Sequence, residues 1–353
     1  MSRFDGKMII GIEPYTAGEQ PKDMKYVKLN TNENPYPPSP KVENIIKKFD
    51  YSTLRLYPDP DASVLKRAIS EYECVNHENI FCGNSSDEIL AMAFMAFFSG
   101  KEIIFPDVTY SFYPVWCNIF GAKPKIIPLK PDWTIDTEKF DANFGAALIC
   151  NPNAPTGIAL KKSKIEELVR KNPNSLIVCD EAYIDFGGES AIGLSKKYDN
   201  ILLIKTLSKS HSLAGARVGY AVGNTQLIES LDKVKNSFNS YTLDRLSIEI
   251  AAAAIQDIDY FKNVRQKVIG TRNWVSGELR KIGFDVLESS SNFIFVSPPK
   301  ISAQNLYLTL KSKGILVRYW NKERISDRLR ISIGTDSEMK ILIDATKEIL
   351  TNS

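Results

Sequence analysis

NILLIKTLSKSHSLAGARVGYAVG, residues 200–223, decides the fold. NILLIK (200–205) is an apolar run ending in a lysine, and a second run, RVGYAVG, follows at 217–223. Continuous apolar runs of this length mark strands covered on both faces of a sheet. The serine-rich turn between them puts Lys209 just beyond a strand end. A lysine there is either a solvated side chain or an amine held in a pocket. Thr206, Ser208 and Arg217 favour the pocket, because two hydroxyls and a guanidinium suit a phosphate dianion. Cationic neighbours and partial desolvation lower the pKa of such an amine and free it for attack on a carbonyl.

Runs of the same kind lie at 79–83 (NIFCG), 102–106 (EIIFP), 125–129 (KIIPL), 146–150 (AALIC) and 175–179 (SLIVC). Helical stretches are expected between them at 87–99, 111–120, 163–171 and 190–197. The alternation predicts an α/β fold with a mostly parallel sheet of seven strands and a ligand at the C-terminal strand ends. Beyond Gly223 the pattern changes to long helical stretches over 224–258 and 260–282. Strands follow at 284–288, 292–297, 314–319 and 329–334, with helices near 302–312 and 336–350. Three parts are expected: a proline-rich arm over 1–45 serving the small domain and a dimer, a large domain over 46–258, and a small α/β domain over 259–353.

Other segments at predicted strand ends carry polar groups. CGNSSDEIL (82–90) turns out of a strand into a helix, with Ser86 or Asp87 at the N-cap and backbone N–H groups able to hold a phosphate. Ser85 in that turn is tolerable only if its φ stays negative. NPNAPTG (151–157) is a stiff turn in which Asn153 could offer an amide to a ligand. In CDEAYIDF (179–186), Asp180 closes an apolar strand. It either caps a helix or, if buried, meets a cation such as a protonated pyridine nitrogen. Tyr183 is near enough along the chain to share its pocket. In LRISIG (329–334), strand alternation turns Arg330 away from the face of Leu329, Ile331 and Ile333.

Bulk properties exclude several classes. The 353 residues are 43% hydrophobic and 25% charged, enough to bury a sizeable core. A net charge of +3, with both signs interspersed, leaves no broad basic face for nucleic acid. Two histidines leave no His-rich metal site. The longest apolar run, 89–98, is about half a membrane span. MSRFDGKMIIGIEPY has no signal-peptide pattern, and five cysteines without a CxxC pair fit a reducing cytoplasm.

The set NPNAPTG, DEAYIDF and TLSKSHSLAGARVGY, in this order and spacing, resembles the fold-type-I aminotransferases that use pyridoxal 5'-phosphate (PLP). NTNENPYPPSP (30–40), LRLYPDPD (54–61) and RYWNKERISDRLRISIG (318–334) are similar to the branch acting on histidinol phosphate. The resemblance implies that Lys209 carries the cofactor as a Schiff base and then shuttles a proton. It implies that Asp180 pairs with the pyridinium nitrogen, Tyr183 bonds the phenolic oxygen and Tyr110 stacks on the ring. Ser86, Asp87, Thr206, Ser208 and Arg217 would cradle the phosphate, with Tyr57 reaching over from a second subunit of a homodimer. Arg330 would grip the substrate carboxylate and Arg318 the substrate phosphate, aided by Tyr15 and Asn32, with Arg324 and Arg328 as rivals. The implied reaction is histidinol phosphate plus 2-oxoglutarate to imidazole-acetol phosphate plus glutamate, a step of histidine biosynthesis. An aromatic aminotransferase, a threonine-phosphate decarboxylase and a PLP-binding regulator are the alternatives. Ala154 stands where relatives commonly carry Asn, which puts the role of Asn153 in doubt.

Overall fold

The computed structural model describes residues 2–4, 12–16, 18–21, 24–140 and 144–351. The apolar runs form one seven-stranded sheet: β2 (Ile80–Asn84), β3 (Glu102–Pro106), β4 (Lys123–Ile127), β5 (Ala146–Cys150), β6 (Leu176–Asp180), β7 (Ile201–Thr206) and β8 (Val218–Gly223). Their order is β2-β8-β7-β6-β5-β3-β4, and β8 alone runs against its neighbours. β5, β6 and β7 are buried along nearly their whole length because helices cover both faces. Register pairs Cys150 with Asp180 and Asp180 with Ile204, so the loops after these strands emerge side by side at one edge.

Beside this sheet stands an antiparallel one of four strands, ordered β12-β13-β10-β9. It is built from β9 (Asp285–Val286), β10 (Phe293–Ser297), β12 (Arg318–Tyr319) and β13 (Leu329–Ser332). A separate apolar core joins it to the helices Ile258–Lys281 and Asp336–Thr351 through residues such as Val268, Ile294 and Leu342. The arm enters this core. β1 (Val27–Lys28) pairs in parallel with β11 (Ile315–Leu316), and Leu29 is buried among these residues.

Several boundaries depart from the sequence expectation. β4 starts two residues earlier than 125–129 and takes in Pro124. It is an edge strand with one open side, where a missing N–H costs little. The helix expected over 190–197 is a short 3-10 segment, Ile192–Lys196, interrupted by Gly193. The stretch 224–258 splits into Thr225–Phe238 and Arg245–Ile255, because Asp244 caps a new helix by accepting from the Ser247 N–H at 2.8 Å. The strand expected over 314–319 divides at Val317, β11 joining the arm and β12 the four-stranded sheet. No helix among the described residues is long and apolar enough to cross a membrane.

Candidate active site

Asp180 ends β6 and is buried at the base of a cavity of about 460 Å³. Its Oδ2 accepts from the Tyr113 hydroxyl at 3.0 Å and its Oδ1 from the Ala182 N–H at 3.2 Å. Burial pushes its carboxyl up to about 6, against the pull of these hydrogen bonds. Two neutral donors do not balance a buried carboxylate, so the site is built for a cation to arrive.

Lys209 lies three residues beyond β7 and its side chain lines the same cavity. Nζ donates to the Thr31 carbonyl at 3.3 Å and stands 5.9 Å from the centre of the Tyr183 ring. Burial, then the Arg330 charge, lowers this amine to about 8. Its turn is held from two sides. Asn34 donates to the Lys209 carbonyl at 3.0 Å, and the Ser210 hydroxyl donates to Asp185 at 2.6 Å. Asp185 in turn belongs to a buried polar cluster behind β7, where Lys205 lies 3.7 Å from it and 2.8 Å from Glu73. The Tyr183 hydroxyl accepts from the Asn32 side chain at 3.1 Å, and burial raises its pKa, so it stays a phenol. Asn32 sits at φ +56°, a conformation Asn tolerates, and is pinned by Ser332 and Asn292.

At one end of the cavity the helix Ser85–Ala93 begins against β8. Asn84 is the N-cap, so Ser86 and Asp87 lie inside the first turn rather than at the cap. Ser85 has φ +70°, contrary to the expectation of a negative value. Such a conformation costs roughly 1–2 kcal/mol. Its hydroxyl offsets part of this by accepting from Arg217 Nη2 at 2.8 Å and from the Asp87 N–H at 3.3 Å. Arg217 also donates to the Asp87 carboxylate at 3.0 Å, whose other oxygen accepts from the Tyr110 hydroxyl at 2.8 Å. Thr206 Oγ1 donates to Ser208 Oγ at 2.9 Å. A Cβ on Gly219 would stand 2.6 Å from the Ser86 nitrogen, so only glycine lets β8 lie this close to the helix start.

The opposite end is basic. Arg318 and Arg330 are direct cross-strand partners in β12 and β13. Arg318 donates to the Thr16 carbonyl at 2.8 Å and Arg330 to the Asn30 carbonyl at 2.7 Å. Tyr15 closes over this end, stacked 4.4 Å from Phe112. The rivals point elsewhere: Arg324 pairs with Asp107, and Arg328 pairs with Asp285 beneath Trp133.

The cavity thus gathers Lys209, Asp180, Tyr183, Ser86, Asp87, Tyr110, Thr206, Ser208, Arg217, Arg318, Arg330, Tyr15 and Asn32. Two expected residues lie outside it. The Asn153 amide donates to the Val108 carbonyl at 2.9 Å and to Thr156 at 3.1 Å, and its carbonyl accepts from Thr109. Its polar atoms knit the NPNAPTG loop together. Tyr57 is 78% exposed on the surface and stacks on Tyr241 at 4.6 Å. Tyr113 was missed, because nothing in VTYSFY distinguishes the tyrosine that turns toward Asp180.

A class I and II aminotransferase family model matches residues 24–345. The chain belongs to this family. This aminotransferase is 52% identical over 351 residues to the histidinol-phosphate aminotransferase of Clostridium acetobutylicum, covering 99% of this chain and 100% of that one. The enzyme of that name from Brachyspira hyodysenteriae is 52% identical over 354 residues and the full length of both chains. In three dimensions the aminotransferase is similar to the Sinorhizobium meliloti histidinol-phosphate aminotransferase solved in complex with PLP. The TM-score is 0.89 at 22% identity, over 100% of this chain and 99% of that one. That likeness shows the fold, which is the fold-type-I architecture of PLP aminotransferases.

Proposed function

We propose that this aminotransferase uses PLP to interconvert L-histidinol phosphate and 2-oxoglutarate with imidazole-acetol phosphate and glutamate. The observation that carries the reading is the Arg318–Arg330 pair facing Lys209 across one cavity. Two guanidiniums suit an anionic group at the end of either substrate, the phosphate of one and the second carboxylate of the other. Full-length identity of 52% to enzymes named for this reaction supports it.

The residues fit PLP on this structure's own terms. A buried carboxylate met by two neutral donors suits a protonated ring nitrogen. When bound, the cofactor supplies an electron-withdrawing ring that weakens the bonds at the substrate α-carbon. Asp180 would keep that ring protonated, and the Tyr183 hydroxyl would hold its phenolic oxygen. Tyr110 would cover one ring face. Ser86, Asp87 in the first helical turn, Thr206, Ser208 and Arg217 would hold the phosphate. Lys209 would hold the cofactor's aldehyde carbon until the substrate amine displaces it, and its freed Nζ would then carry the proton lost by the substrate α-carbon. Arg330 and Arg318, with Tyr15 and Asn32 beside them, would orient the substrate and exclude water.

Tyr51, Leu54 and Tyr57 are exposed in one short segment, and Tyr57 stacks on Tyr241, near the exposed Phe238 in sequence. Such a patch supports a homodimer in which Tyr57 reaches the partner's phosphate end. The division into an arm (1–45), a large part (46–258) and a small part (259–353) is proposed on the two sheets and their separate cores. A cytoplasmic setting is proposed on the free thiols Cys74, Cys82, Cys117, Cys150 and Cys179.

The deciding experiment mixes PLP-loaded protein with L-histidinol phosphate, phenylalanine or threonine phosphate and follows the visible cofactor band. Rapid bleaching by histidinol phosphate alone, reversed by 2-oxoglutarate, is the expected result. Equal bleaching by phenylalanine would make the enzyme a broad aromatic aminotransferase, and CO₂ from threonine phosphate would make it a decarboxylase.

A further inference from the structure

Arg318 and Arg330 face each other across β12 and β13, an arrangement that like charges disfavour. Something must hold two guanidiniums there. Trp320 lies just past the end of β12, two residues after Arg318. Tyr319, between them, turns away and stacks on Tyr307 at 5.7 Å. The Trp320 ring centre lies 5.3 Å from the Arg318 guanidinium carbon and 5.2 Å from that of Arg330. One indole therefore serves both cations. The Phe293 ring adds a second face to Arg330 at 5.5 Å and meets Tyr183 edge-on at 5.0 Å. Arg330 Nε is buried without a hydrogen-bond partner, so ring faces supply contacts that its hydrogen bonds do not.

We infer that Trp320 is a positioning residue that sets the spacing of the Arg318 and Arg330 guanidiniums and thereby selects substrates whose far end carries a dianion or a carboxylate. The inference rests on the proposed reading of this cavity. Indole is the ring that attracts a cation most strongly, and contact with a guanidinium's flat face does not use the donors on its edge. Each guanidinium also spends one donor on an arm carbonyl, at Thr16 and Asn30, which orients the plane that the indole supports. A simpler role for Trp320 is packing, since it also lies against the apolar cluster around Phe295. The two roles predict different kinetics.

The test compares W320F and W320L with the unaltered PLP-loaded enzyme. Steady-state constants are measured with L-histidinol phosphate, 2-oxoglutarate and the phosphate-free donor L-histidinol. W320L is expected to raise KM for histidinol phosphate and 2-oxoglutarate at least tenfold, with kcat and KM for L-histidinol within about twofold. W320F, which keeps a weaker ring face, should fall between. Equal losses with and without the phosphate, or W320F no better than W320L, would overturn the inference. If the unaltered enzyme fails to turn over histidinol phosphate, the functional reading falls and calorimetry with glutarate decides this point alone. Tenfold weaker glutarate binding by W320L upholds the role of Trp320, and equal binding ends it.

Discussion

The amine of Lys209 and the carboxyl of Asp180 are displaced by burial in opposite ionic senses, and each displacement is measurable. With Lys209 near 8, about a tenth of the amine is unprotonated at pH 7. Capture of added PLP by cofactor-free protein should quicken roughly tenfold per pH unit below 8 and level off above it. Stopped-flow absorbance checks this, and a flat profile would point to another nucleophile. Asp180 has a folded value of about 6 against an ordinary 3.8. The folded chain then holds more protons than the unfolded one between those values, so Asp180 costs stability as pH rises through that window. Asp180→Asn should stabilise cofactor-free protein above pH 6, by about 3 kcal/mol at most, while cutting turnover at least 100-fold. Melting curves at pH 4 and pH 8 separate the two effects. Asp180 was legible as a cavity residue because a charge ending an apolar run calls for a partner, and Lys209 and Arg217 because they sit in and at the end of the polar turn between two such runs. Tyr113 was not, because the direction of a hydroxyl is set by packing. Nor was the φ of Ser85, which Arg217 holds from 132 residues away.

Elements were legible where apolar runs were continuous, as in β5 to β8, and less so where backbone choices are local and small. Asp244 opens a new helix by one hydrogen bond, and Gly193 cuts another short. The approach of β8 to the helix Ser85–Ala93 depends on Gly219. Gly219→Ala should push the two apart, cost about 1–3 kcal/mol of stability and weaken PLP binding at least tenfold. Equilibrium titration with PLP checks it, and unaltered affinity would mean that the helix start does not hold the phosphate.

Across the whole molecule, a large and a small sheet were expected and both are present, with the two-stranded β1–β11 pair beside them, but how they share a site was hidden in sequence distance. Asn34 meets Lys209, Asn32 meets Tyr183 and Ser332, and Arg324 ties to Asp107. Tyr57 lies outside its own cavity, and in the proposed homodimer, where it would reach the partner's phosphate end, Tyr57→Ala should weaken PLP retention about tenfold. Mixed with a Lys209→Ala chain, it should regain retention in hybrid dimers at the site that keeps both residues. Absence of such rescue would place Tyr57 in a purely surface role.

The parallel pairing of β1 with β11 has a consequence for synthesis. Val27 is made nearly three hundred residues before Ile315, its ladder partner, and Asn32 precedes Ser332 by as much. A chain still emerging from the ribosome already carries Lys209, but the ledge formed by Asn30, Thr31 and Asn32 has nothing to lean on. The surroundings of the Lys209 amine, which donates to the Thr31 carbonyl, are therefore complete only once the last strand has been translated.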